Sequence, residues 1–260
     1  MLEARNLEKS FGQLVAADSV ELTFGEEPGE LVFMVGPNGA GKTTLVNLLT
    51  GLLAPDSGEV IIHEPAADGS GTVERDITGL RPEARVKEGV VRSFQVVQVF
   101  EEMTIRENLR TAVLADEGLM TSMFSHSDEH EPVERRVDEL LERFGLTDLA
   151  DSVAEELPHG DRKLIDVAMS FGLDPDYLFL DEPTSGVSTS ETEYVIDTIL
   201  NVSKAQQVTT ITIEHDMDIV REYADRMIAL HQGRVHGEGP ASMLETDREL
   251  RSLLLGIDDE

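Results

Sequence analysis

Apolar and polar positions along this chain alternate between two periods. Short β-like segments open it, Leu2–Leu7, Val20–Phe24 and Glu30–Val35, with the turn cluster "GEEPGE" at 25–30 between the last two. Leu31–Val35 is apolar at every position, as a strand covered on both faces should be. From Thr43 the spacing turns helical, placing Leu45, Leu48, Leu49, Leu52 and Leu53 on one face. "APDSGE" ends that helix and Glu59–His63 reads as another strand. Residues 64–92 read as polar and irregular. "TIRE" at 104–107 is a capping box that opens a helix to about Ala115. A loop-like acidic insert follows at 116–132, then an amphipathic helix at 133–144 that stops at Gly145. Strand and helix then alternate: Tyr177–Asp181, a helix over 189–206, a strand at 208–213, a short helix from about 216, and a terminal hairpin turning at 231–234. This is the pattern of an α/β core interrupted by a mostly helical stretch of about 93–160.

The longest apolar runs are far too short to span a bilayer, and the N-terminus carries no basic-then-apolar leader. The expectation is a soluble chain without direct membrane insertion that can dock on a membrane protein. Cysteine is absent, which excludes disulfides and thiol chemistry. Asp plus Glu is 52 against 21 Lys plus Arg, a formal charge of −31. A surface this acidic repels phosphate backbones, so no nucleic-acid partner is expected. Hydrophobic residues still make up 40%, enough to exclude disorder by composition. The balance resembles that of proteins from salt-loving organisms, where concentrated salt screens self-repulsion.

The chemistry enters at "GPNGAGKTT", Gly36, Pro37, Asn38, Gly39, Ala40, Gly41, Lys42, Thr43 and Thr44. It fits G-x-x-x-x-G-K-[ST] between an expected strand and an expected helix, the context that a phosphate-binding loop requires. Glycines let backbone N–H groups curl around phosphate oxygens, and the helix N-terminus adds partial positive charge. Lys42 is placed to reach the β- and γ-phosphates, and the Thr43 hydroxyl to bind Mg²⁺. An apolar strand then delivers Asp181 and Glu182. Asp181 is the candidate for the Mg²⁺ shell, and Glu182 for polarising an attacking water.

With these two motifs placed, the chain resembles the nucleotide-binding subunits of ABC transporters, and among them the ATPases of branched-chain amino acid importers. "KSFGQLVAADSV", the phosphate loop, "RDITGL", "VRSFQVVQVFEEMTIRENL", "FLDEPTSGVS" and "IEHDMDIVREYADRMIALHQGRV" stand in the family's order. The resemblance implies a P-loop NTPase core (1–92 and 161–240) with an N-terminal antiparallel β subdomain, an inserted α-helical subdomain (93–160) and a C-terminal helical tail (241–260). It implies that Phe11 stacks on adenine, the alternative being a core Phe at a strand end. It assigns Gln95 to Mg²⁺ and the attacking water, and His215 to the γ-phosphate, where an isolated His would more often be a structural residue. The implied cofactors are ATP and Mg²⁺. The implied partners are a second ABC ATPase chain, two transmembrane permease subunits and an extracellular solute-binding protein, at the cytoplasmic face of the cell membrane. Three other functions compete: the same engine for another polar solute such as urea or an amide, a soluble ABC ATPase outside transport, and an ordinary P-loop kinase, against which the His215 and Gln95 constellation argues.

Two stretches depart from the family. Each chain lends its partner a signature loop with consensus Leu-Ser-Gly-Gly-Gln, and here that loop reads Leu157, Pro158, His159, Gly160, Asp161. Asp161 either opposes a partner's phosphate or caps the helix that starts here, and the cap is the preferred expectation. After Glu182 the family's "SALD" reads "SGVS", with Ser188 and Glu191 expected to form a capping box. The machinery that this chain uses for itself is complete, whereas the part that it lends is altered, so an asymmetric heterodimer is expected.

The acidic composition makes one prediction directly. The melting temperature should rise between dilute buffer and molar KCl as salt screens the like charges. A salt-independent melt would contradict it.

Overall fold

The computed structural model describes residues 1–66, 69, 71–93, 99–118 and 131–255. It has two compact units, one of Met1–Glu88 with the chain from Thr209 onward, the other of Gly89–Val208.

The first unit begins with β1 (Leu2–Phe11), β2 (Leu14–Phe24) and β3 (Leu31–Val35). Then come α1 (Lys42–Leu49), β4 (Ser57–Pro65), β5 (Thr72–Asp76) and α2 (Pro82–Val86). An antiparallel sheet runs in the order β2-β1-β4-β5, with Leu2 opposite both Phe24 and Ile62. The other unit carries β6 (Val90–Arg92), α3 (Ile105–Asp116), α4 (Glu131–Arg143), α5 (His159–Phe171), β7 (Tyr177–Asp181) and α6 (Thr189–Gln206). The chain returns to the first unit with β8 (Thr209–Ile213), α7 (Met217–Tyr223), β9 (Arg226–His231), β10 (Arg234–Gly239), α8 (Met243–Thr246) and α9 (Arg248–Leu255). There β3 lies between parallel neighbours β8 and β9, and β10 closes a hairpin on β9. All five residues of β3 are buried, as its unbroken apolar run predicts. The α/β class with an antiparallel β region and a helical portion matches the expectation.

Two expectations need correction. Residues 64–92 are not irregular, since β5, α2 and β6 fall there. The five exposed residues of β5 lack the apolar alternation that marks a strand, so its identity comes from pairing with β4. Helix α1 also ends at Leu49, leaving Leu52 and Leu53 outside it, Leu52 exposed. The cause is Arg85, which is completely buried. Its Nη1 donates to the carbonyls of Leu48 (2.7 Å) and Leu49 (2.6 Å), its Nη2 to Thr78 O (2.8 Å) and its Nε to Leu80 O (3.3 Å). A cation on the last carbonyls adds a donor to acceptors at the helix end and complements its negative pole. Burial pulls its pKa down to about 10, partly offset by Asp76. Gly51, at φ 78°, sits against this guanidinium: a Cβ there would stand 2.8 Å from Nε.

In the second unit, β6 and β7 pair in parallel, and both N–H groups of Asp176 and Tyr177 donate to Gly89 O at 2.9 Å. The capping box at Thr104 and Glu107 forms in full. Buried Asn108 ties the preceding turn to α3, accepting from Phe100 N at 2.7 Å and donating to Thr104 O at 2.9 Å. Helix α4 buries Val133, Val137, Leu140 and Leu141, and the rings of Phe144 and Phe171 meet edge-on at 5.5 Å. Most of the acidic insert, 119–130, lies outside the described residues, with His126 and His130.

The start of α5 corrects a third expectation. The N-cap is Pro158, which has no side-chain acceptor to offer, and Asp161 lies inside the first turn. Glu191 packs against the start of this helix, its side chain about 3.3 Å from where a Cβ on Gly160 would be. At the start of α6, Ser188 is the N-cap, but its hydroxyl bonds the Glu191 carboxylate and no side-chain cap to the backbone forms. The expected capping box is therefore a side-chain pair. Burial, then the Glu191 charge, holds the Asp161 carboxyl above its ordinary range, and burial, then the Asp161 charge, raises the Tyr194 phenol.

A raised carboxyl pKa in the fold means that the charged form costs stability. The penalty is absent below the unfolded-state pKa and develops as pH rises through the folded one. Asp161→Asn should therefore stabilise the chain at pH 7, by less than about 1 kcal/mol given its partial exposure. The gain should close at acidic pH in paired urea titrations. An equal or destabilising effect at pH 7 would contradict this electrostatic account.

Candidate nucleotide-binding site

The phosphate loop leaves the C-terminal end of β3 and enters α1, as the spacing predicts. Two of its glycines are required by close approach. A Cβ on Gly36 (φ 149°) would stand 2.3 Å from Leu230 O, and one on Gly41 (φ 104°) 2.3 Å from Ala16 O. The loop is held by Ala40 N–H to Pro37 O (3.1 Å) and by Gly233 N–H to Ala40 O (2.9 Å). Gly233 O in turn accepts Asp18 N–H at 2.9 Å. Strand β2 and the β9–β10 turn thus fix the loop from outside. Buried Lys42 folds its ammonium over the loop, donating to Gly36 O (2.5 Å) and Pro37 O (3.3 Å).

The electrostatics suit an anion. The first turn of α1 contains no acidic residue, and its leading N–H groups have no partner within the helix. In a chain of net −31 this is a deliberate local reversal.

Phe11 lies at the end of β1 opposite Leu14, with its ring half exposed and the Lys9 ammonium 5.9 Å from the ring centroid. It is a surface ring and not part of the core. His215 follows β8 and is exposed, ahead of α7, which is capped by Asp216.

In the second unit, β7 ends on Asp181, buried and ion-paired to Arg92 at the end of β6, Nη2 to Oδ2 2.9 Å. The hard carboxylate oxygens of Asp181 and the exposed hydroxyl-bearing Thr43 are donors of the kind that Mg²⁺ takes. Glu182 has φ 49°, an uncommon left-handed backbone for a non-glycine residue and one that clusters at functional sites. Its carbonyl accepts Ser185 N–H at 3.0 Å, closing a turn. The altered signature loop is next to this segment: the His159 ring lies 3.0 Å from where a Cβ on Gly186 would be. Leu157 and Gly160 are buried, Pro158 and His159 exposed, and Asp161 is half-buried beside Glu191. Gln95 lies outside the described residues.

The remaining described histidines lie on β4, β9 and β10. His63 bonds Glu3 at 2.7 Å, and His231 and His236 contact each other. Glu3, His63 and Glu74 come together closely enough for a metal, but the Arg5 guanidinium already binds both glutamates. The residue that sequence reasoning missed is Arg92. A single arginine before "SFQ" has no periodicity or spacing signal, and its partner is 89 residues away.

Comparisons with known proteins agree with this geometry. Residues 19–185 match the ABC transporter family model. The chain is 33% identical over 98% of both chains to the high-affinity branched-chain amino acid transport ATP-binding protein LivG of Salmonella typhimurium. It is likewise 33% identical, again over 98% of both, to BraF, the corresponding protein of Pseudomonas aeruginosa. Among solved structures it is similar to the ADP conformation of MJ1267, an ATP-binding cassette of an ABC transporter, with a TM-score of 0.81, 29% identity and 99% of each chain covered. A nucleotide-free cassette matches with a TM-score of 0.79 and 29% identity over 100% of this chain and 99% of the other. No helix among the described residues is long and apolar enough to cross a membrane. A glycine-built phosphate loop at the end of a buried strand, matched along nearly the whole chain by these relatives, places the protein in the ABC transporter family of ATP-binding, ATP-hydrolysing subunits.

Proposed function

We propose that this chain powers an importer of branched-chain amino acids, working at the cytoplasmic face of the membrane through two permease subunits that receive solute from an extracellular binding protein. The observation that carries the ATPase reading is the phosphate loop, with its two crowded glycines and its buried Lys42 at the N-terminus of α1. The choice of solute rests on the 33% identity to LivG and BraF over 98% of the chain. The salt-loving reading rests on composition alone.

The roles follow residue by residue. Phe11 offers the adenine a flat apolar surface. Gly36 to Thr44 wrap the phosphates, and Lys42 exchanges its loop carbonyls for β- and γ-phosphate oxygens. Thr43, Gln95 and Asp181 would hold Mg²⁺, which when bound neutralises charge on those oxygens. Glu182 orients and polarises the water for in-line attack on the γ-phosphate, and His215 bonds that phosphate.

Leu157, Pro158, His159, Gly160 and Asp161 act in trans, on the nucleotide of a second, different ABC ATPase chain. This asymmetry is supported by Asp161, which caps no helix and stands beside a second carboxylate. Negative charge in the loop lent to another chain's ATP opposes phosphate binding there, and Pro158 supplies no hydroxyl. The composite site built on this chain's own phosphate loop is the fast one.

Glu182→Gln in the reconstituted transporter tests the assignment. ATPase activity should fall at least about 100-fold, the usual scale of general-base loss. Retention of most of the activity would place the active site elsewhere.

A further inference from the structure

Arg92 and Asp181 form an ion pair that the nucleotide chemistry alone does not require. Both side chains are about nine-tenths buried, and the guanidinium holds one carboxylate oxygen at 2.9 Å. Arg92 is the last residue of β6, in register with Phe179, and the next N–H, that of Ser93, donates to Phe179 O at 2.9 Å. The end of β6 is therefore joined to the end of β7 by one backbone bond and one charge pair. A buried carboxylate with its counter-ion removed is strongly destabilising, so Asp181 keeps a cation beside it at rest. A divalent cation arriving at the same carboxylate brings two positive charges next to a third, and at low dielectric that repulsion is large.

We propose that Arg92 is the resident counter-ion of Asp181, holding the carboxylate until Mg²⁺ arrives with nucleotide and then releasing it. The proposal rests on Asp181 as a Mg²⁺ ligand. Release of Arg92 leaves the end of β6 held to β7 by its backbone bond alone. Metal arrival and the loosening of the β6 end are then coupled, and the coupling is reciprocal: whatever draws the end of β6 away from β7 raises the affinity for Mg²⁺. Arg92 is thus a positioning residue whose action runs through Asp181.

The test uses the isolated full chain and ADP carrying a fluorescent label, so that no hydrolysis intervenes. Mg²⁺ is titrated into the chain saturated with this nucleotide. Arg92→Gln removes the competing charge, and half-saturating Mg²⁺ should fall at least about fivefold, the lower end of usual coupling between sites. Nucleotide affinity in EDTA should stay unchanged. Arg92→Lys keeps the charge and should stay within about twofold of wild type by the same measure. An unchanged or raised half-saturation in Arg92→Gln overturns the proposal. Asp181→Asn separates the two layers. If it raises half-saturating Mg²⁺ while Arg92→Gln does nothing, Asp181 is the ligand and the counter-ion role alone fails. If Asp181→Asn leaves Mg²⁺ dependence untouched, the ligand assignment fails and the proposal with it. Should Arg92→Gln not fold, the wild-type Arg92 Nε–H NMR signal replaces it. That signal should move on adding Mg²⁺ to the ADP complex and stay put with ADP in EDTA; a signal that Mg²⁺ does not move overturns the proposal.

Discussion

The phosphate loop works only if backbone N–H groups converge where the chain is too crowded for side chains. Gly36 and Gly41 meet that constraint, each with a carbonyl oxygen 2.3 Å from where a Cβ would be. Those carbonyls belong to Leu230 and Ala16, so the loop is shaped by β9 and β2 as much as by its own sequence. The surrounding elements serve that packing. Strand β3 is buried along its length between β8 and β9 and points its C-terminal end at the loop. Arg85 closes the far end of α1, so the helix whose N-terminus faces the phosphates is fixed at both ends.

Charge sets the second constraint. A chain of −31 repels ATP at long range, and its affinity must come from local geometry. The loop answers with Lys42, oriented N–H groups and a first helical turn free of acids. Elsewhere scarce cations are buried at specific anionic or acceptor-rich points, Arg85 on helix-end carbonyls and Arg92 on Asp181. Asp161 is the exception, a carboxylate placed beside another one, with its ionised form disfavoured.

The sequence made legible whatever depends on local pattern. The buried run Leu31–Val35, the phosphate loop, the capping box at Thr104 and Glu107 and the helix stop at Gly145 (φ 67°) all follow from adjacent residues. What it concealed depends on distant partners. Strand β5 has no inward-facing pattern and exists by pairing with β4. The end of α1 is set by Arg85, thirty-odd residues on, where leucine spacing alone would extend the helix. Asp161 looked like a cap because acids favour that position, but Pro158 occupies it and tertiary packing puts Glu191 alongside. The Arg92–Asp181 pair was invisible for the same reason, as two strands distant in sequence bring it together.

The central claim is that phosphate recognition rests on the Gly36–Thr44 loop with Lys42 as its charged donor. Equilibrium binding of ATP to the full chain in EDTA, at one fixed salt concentration, tests it most directly. Lys42→Ala should weaken binding about 10- to 100-fold, the scale of losing a charge-assisted hydrogen bond. Unchanged affinity would contradict the account.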